Sequence, residues 1–115
     1  MLTLEKLRTF GANVDEGLQR CVNNETFYLM LIDKSIRDPA FDSLREAAEK
    51  EDYERGFEIA HALKGVAANL ALTPLFIPLG EITELFRNKT KADYGPLVET
   101  IIAKRDELMR LSSED

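Results

Sequence analysis

The chain of 115 residues has one cysteine, Cys21, so an internal disulfide is excluded and a reducing compartment suits it. Burial as a small hydrophobe is the plain reading of that thiol. Basic residues are in the minority: 15 lysines and arginines stand against 21 aspartates and glutamates, a net charge of −6. No basic cluster interrupts this balance, which argues against a nucleic-acid surface and against anionic lipid. Long apolar runs are missing. Stretches such as Phe27 to Ile32 are too short to span a bilayer. The opening Met-Leu-Thr-Leu-Glu-Lys lacks the apolar core of a secretion signal. The expectation is a cytoplasmic protein without membrane insertion. Repeats and low-complexity segments are absent, and no stretch alternates cleanly enough to read as a strand. No glycine-rich loop followed by Lys-Ser/Thr is present, so no nucleotide site is expected.

Helix signals fill the rest. Hydrophobic residues make up 44% and charged residues 31%, the balance of an ordinary globular domain, and one domain over 1–115 is expected. Leu2, Leu4, Leu7 and Phe10 suggest a short helix ended by Gly11. Asn13 suits the cap of a second, through about Val22, with Val14, Leu18 and Cys21 inward. Asn24 suits the cap of a longer one, with Phe27, Tyr28, Leu31 and Ile32 on one stripe. Asp38-Pro39 reads as cap plus first-turn proline, opening a segment to about Lys50 that turns Phe41, Leu44 and Ala48 inward. Asp52 caps the expected helix from Tyr53 to about Leu72.

Thr73-Pro74 repeats the cap-plus-proline signal, with Leu75, Leu79, Ile82, Leu85 and Phe86 following. Pro78 removes a backbone bond, so this helix is expected to bend there or to start only near it. Asn88 to Ala92 is a polar connector. The last helix is expected from about Asp93 to Leu111, with Leu97, Ile101, Leu108 and Leu111 inward. Long helices joined by short loops predict an all-α fold, an antiparallel four-helix bundle with additional short N-terminal helices.

On a helical wheel, Phe57, Ala60, Leu63, Val66, Ala67 and Leu70 fill one apolar arc. His61, Lys64, Gly65 and Ala68 form a separate stripe at its rim, at i, i+3, i+4 and i+7. The protein's sole histidine thus has a cation and a glycine one turn away. Imidazole is a nucleophile at neutral pH, and a lysine can reach a phosphoryl group held beside it. A glycine lets a bulky partner approach, at a helix cost of about 1 kcal/mol relative to alanine. The bland readings are a surface histidine, a solvated lysine and a glycine that lets two helices pack closely.

The string His61-Ala-Leu-Lys-Gly-Val-Ala-Ala-Asn-Leu70 resembles the signature of histidine-containing phosphotransfer (HPt) domains. Leu63, Lys64, Gly65, Ala67, Asn69 and Leu70 fit that pattern; Ala71 stands where the family usually has glycine. Gly17-Leu18-Gln19-Arg20, Asn24-Glu25 and Phe27-Tyr28 look like the family's second helix and the start of its third, so the resemblance runs from roughly Gly11 to Arg87. It implies a four-helix bundle with His61 partly exposed on the second bundle helix. His61 would take a phosphoryl group from the aspartate of one receiver domain and pass it to another. Lys64 would balance the phosphate charge, with Arg87 as a second cation, and Gly65 and Ala68 would leave docking clearance. The partners implied are receiver domains of response regulators or hybrid histidine kinases, with magnesium on the receiver and no cofactor here. The chain would be a phosphocarrier monomer without kinase activity.

Val66, Ala68, Leu4 and Leu7 are candidates for an apolar docking patch, with core packing as the alternative for the leucines. Two other classes compete. Glu58-Ile-Ala-His61 has the Glu-x-x-His spacing of di-iron bundles, but a single histidine supplies only one such pair. A bundle that binds partners without phosphotransfer is the other. Glu81 and Glu84, one turn apart, read as solvated surface. Met1 and the polar tail Ser112 to Asp115 lean towards a complete chain.

Overall fold

The computed structural model describes residues 1–114. Seven helices follow one another: α1 Leu4–Phe10, α2 Val14–Arg20, α3 Glu25–Ile36, α4 Ala40–Glu49, α5 Tyr53–Asn69, α6 Thr73–Arg87 and α7 Gly95–Ser113. Strands are absent among the described residues.

Helices α4 to α7 close a ring. α4 packs on α5, α5 on α6, α6 on α7, and α7 returns to α4. The short α4–α5 and α5–α6 turns reverse the chain each time. This is the expected four-helix bundle, with α5 as its second helix. The α5–α6 pair is the most extensive contact. It comes close where α5 presents the buried Gly56 to it. A methyl added to Gly56 would run into the Phe86 ring of α6.

Caps set the helix starts. The side chains of Asn13, Asn24 and Asp52 accept from the backbone N–H groups of Glu16, Phe27 and Arg55. Asp38 accepts from Ala40 N–H at 2.8 Å, just before α4. Gly11 ends α1 at φ 110°, a left-handed conformation that favours glycine. The end of α5 departs from expectation by three residues. Leu72 N–H donates to Ala67 and Ala71 N–H to Ala68, with Ala71 at φ 55°. That crossed pair of bonds is a Schellman motif, and it stops the helix at Asn69.

α6 corrects a second expectation. It starts at Thr73 with Leu72 as its cap residue, and it runs on through Pro78. Pro78 is buried, and its ring removes only one backbone donor from the ladder. The start near Pro78 does not occur. α7 begins at Gly95 and not at Asp93, because Asp93 Oδ1 accepts from Gly95 N–H ahead of it.

One hydrophobic core draws on all seven helices, with Leu7, Tyr28, Ile32, Leu44, Leu75, Ile82, Ile101 and Leu108 fully enclosed. Several facing assignments shift. Phe27 is 41% exposed, and Ile36 takes its place on the buried side of α3. Ala47 is buried in α4 where Ala48 was expected. Val98 and Ile102 are buried in α7, and Leu97 and Leu111 lie half-buried at the margin. Cys21 is buried, as its plain reading required.

The first three helices are tied to the bundle by polar bonds as well. Tyr28 Oη donates to Leu70 O at 2.8 Å, and Asn13 N–H donates to Ala71 O at 2.9 Å. Both hold the C-terminal end of α5. Lys6 Nζ reaches Leu111 O at 3.1 Å. Asp33 on α3 accepts from Ser112 on α7 at 2.5 Å and pairs with Arg37.

Candidate functional site

His61 lies on the solvent side of α5, one position past the buried Ala60. The helix phase that buries Ala60, Leu63 and Ala67 turns His61 outward. Its ring stacks on Phe57, one turn earlier, with centroids 5.4 Å apart and planes 11° from parallel. Gly65, one turn later, is exposed, and a Cβ built there would meet nothing within 4 Å. Open space therefore adjoins the imidazole on its C-terminal side. Ala68 continues this strip, half-buried, beside a cleft of about 230 Å³ shared with Phe76 of α6 and Arg20 of α2.

The two expected cations stand differently. Lys64 is half-buried and extends its ammonium over the Phe76 ring, 5.8 Å from the centroid. Among the described residues it has no carboxylate partner within ion-pair distance. Arg87, at the end of α6, donates from Nε to Glu84 at 3.2 Å and lays its guanidinium over Phe57, 4.8 Å from the ring centroid. Phe57 therefore lies against both His61 and Arg87. An open groove of about 400 Å³ adjoins this cluster, lined by Tyr53, Phe57, Phe86, Arg87 and Lys89 and edged by Glu54 and Glu58.

Sequence reasoning placed Phe57 in the core arc and read Glu84 as solvated surface. Phe57 is in fact half-buried between the core and the site, whereas Glu84 is exposed as read and also pairs with Arg87. The i, i+4 spacing of Phe57 and His61 was the available signal, as was the i, i+3 spacing of Glu84 and Arg87. The docking candidates divide. Val66 is 38% exposed, so it leaves the core arc and joins the accessible face of α5. Leu7 is wholly buried and Leu4 half-buried against the core. The apolar stripe of α1 packs inward, so Leu7 is a core residue and no part of a docking surface. No group of three or more His, Cys, Asp and Glu side chains gathers as metal donors among the described residues. No helix there is long and apolar enough to cross a membrane.

A lone exposed histidine at mid-helix in a four-helix bundle is thus flanked by a lysine and an unobstructed glycine. The family model of the Hpt domain matches residues 38–114, well over half of the chain, and the chain belongs to the Hpt domain family. Members are histidine phosphotransfer modules of two-component signalling, carriers and not catalysts. The matched segment coincides with α4 to α7, the closed ring. It takes in the last helix, beyond the Arg87 end of the expected resemblance, and leaves out α1 to α3, although that resemblance was expected to begin at Gly11. Comparison with curated proteins and with solved structures gives no match.

Proposed function

We propose that His61 is the phosphoryl-accepting residue, loaded from the aspartyl phosphate of one receiver domain and discharged to the aspartate of another. The observation that carries this reading is the sole histidine, exposed on the second bundle helix, beside a glycine whose absent side chain leaves its surroundings open. A ring nitrogen attacks phosphorus, the P–N bond forms, and the P–O bond to the carboxylate breaks. Transfer onward reverses these events on a second receiver. Such chemistry asks mainly for positioning and charge stabilisation along an in-line path.

In this reading the Lys64 ammonium, free of any carboxylate among the described residues, swings from Phe76 to the phosphoryl oxygens. Arg87 follows once it exchanges Glu84 for phosphate. Gly65 and Ala68 let the receiver's acidic site close on the ring. The receiver supplies the aspartate and magnesium, and this chain needs neither nucleotide nor cofactor of its own.

The test is label transfer from a panel of phosphorylated receivers to wild type and to His61→Gln. The expected result is acid-labile, base-stable label on wild type only, and none after incubation with labelled ATP alone. Equal labelling of His61→Gln, or appreciable self-labelling from ATP, overturns the reading.

A further inference from the structure

A phosphoryl acceptor must hold its ring so that one nitrogen faces the incoming phosphorus. Histidines used this way are commonly fixed by a hydrogen bond on the other ring nitrogen. Among the described residues, no backbone or side-chain group makes such a bond to His61. The near-parallel stack on Phe57 is the contact that restrains the ring. Phe57 is itself restrained. It is half-buried where α5 meets α6, and the Arg87 guanidinium, held by Glu84, lies over its ring.

We propose that Phe57 is a positioning residue for phosphoryl transfer: its ring, steadied by Arg87, sets the orientation of the His61 imidazole in place of a hydrogen bond. The inference rests on His61 being the acceptor. Without the stack, the ring distributes over the staggered χ1 wells open to a helix and over two χ2 orientations. With two such χ1 wells and two χ2 orientations, the reactive population then drops by up to about fourfold. A larger side chain does not repair this unless it is flat and aromatic, because stacking and not volume does the orienting.

The experiment compares wild type, Phe57→Leu, Phe57→Tyr and His61→Gln. The chain has one histidine, so its imidazole proton resonances are unambiguous by NMR. Phosphoramidate serves as a small donor that needs no docking partner, and the growth of phosphohistidine is followed by the same spectra. Expected results are a ring-current displacement of the His61 resonances in wild type and Phe57→Tyr that is lost in Phe57→Leu, and a labelling rate up to about fourfold lower in Phe57→Leu with recovery in Phe57→Tyr. Thermal melts check that Phe57→Leu remains folded; if it does not, Phe57→Tyr and Arg87→Gln are compared instead by the imidazole resonances, with Arg87→Gln expected to lose part of the ring-current displacement. Equal rates and unchanged imidazole resonances across the folded variants overturn the inference alone. Failure of wild-type His61 to accept phosphoryl from either phosphoramidate or a phosphorylated receiver overturns the carrier reading, and this inference with it.

Discussion

Replacing Gly65 by alanine should stabilise the isolated chain and weaken its work with a receiver. Gly65 lies inside α5, where glycine costs about 1 kcal/mol relative to alanine. The added methyl meets no atom within 4 Å, so nothing offsets that gain in the free protein. For a chain of this size about 1 kcal/mol corresponds to roughly 4 °C in Tm. In the complex the same methyl stands where the receiver must approach His61. Inserting a methyl into a close-packed contact costs about 1–3 kcal/mol, or about fivefold to 150-fold in affinity or transfer rate.

A matched control exists in the same helix. Gly56→Ala gains the same helix propensity, but its methyl runs into the Phe86 ring, so Tm should fall. Calorimetry of both variants and receiver-to-His61 transfer kinetics for Gly65→Ala make the assay. A fall in Tm for Gly65→Ala would refute the open geometry. A rise in Tm with unchanged transfer would refute the docking role and leave Gly65 as an unselected loss of helix propensity.

Leu7→Ala should lower the urea midpoint by the equivalent of about 2–5 kcal/mol, with an unchanged m-value, because Leu7 is wholly enclosed. Tyr28→Phe should cost about 1–3 kcal/mol by the same measurement, since Leu70 O loses its buried donor. Burial, with a smaller contribution from Cys21, pushes the Tyr28 phenol up to about 12 from an ordinary 10.0. A raised folded-state pKa means its contribution is fully present below pH 10 and is lost as pH rises towards 12, so alkaline melts should show Tm falling in that window, less steeply in Tyr28→Phe. Hydrogen bonds from Arg37 and then Ser112 hold the Asp33 carboxyl below its ordinary value. The α3–α7 tie is therefore present above the usual carboxylate range and weakens as pH falls through the lowered value, and Asp33→Asn should flatten the acid limb of the same melts.

The architecture was legible because the signals behind it are local. Asn13, Asn24, Asp52 and Gly11 end or begin helices through bonds made within a few residues, and each was found where its residue type required. The errors arose where packing across helices decides. Whether Phe27 or Ile36 faces inward depends on what α7 and the N-terminal segments present to α3, and one helix's period does not contain that. The alternative of a helix starting near Pro78 failed for a similar reason. A proline's cost in isolation is fixed by its missing N–H, but its tolerance depends on the buried packing it gains in α6.

The site divides along the same line. Spacing alone put His61, Gly65 and Ala68 on one accessible strip, since a helix period is enough to decide which residues share a face. It could not say where long side chains end. Lys64 and Arg87 were both expected to serve the phosphate; at rest Lys64 lies on Phe76 and Arg87 on Phe57 with Glu84. The sequence also could not separate its glycines. Gly56 and Gly65 are two glycines of one helix, nine positions apart and alike in propensity, but one lacks a side chain so that α6 can come close and the other faces empty space. Only the second has, among the described residues, no neighbour that requires a glycine. A residue that costs its own helix stability and relieves no contact among the described residues is what the proposed docking role, one turn from the only histidine, requires, and Gly65→Ala puts that role to the test.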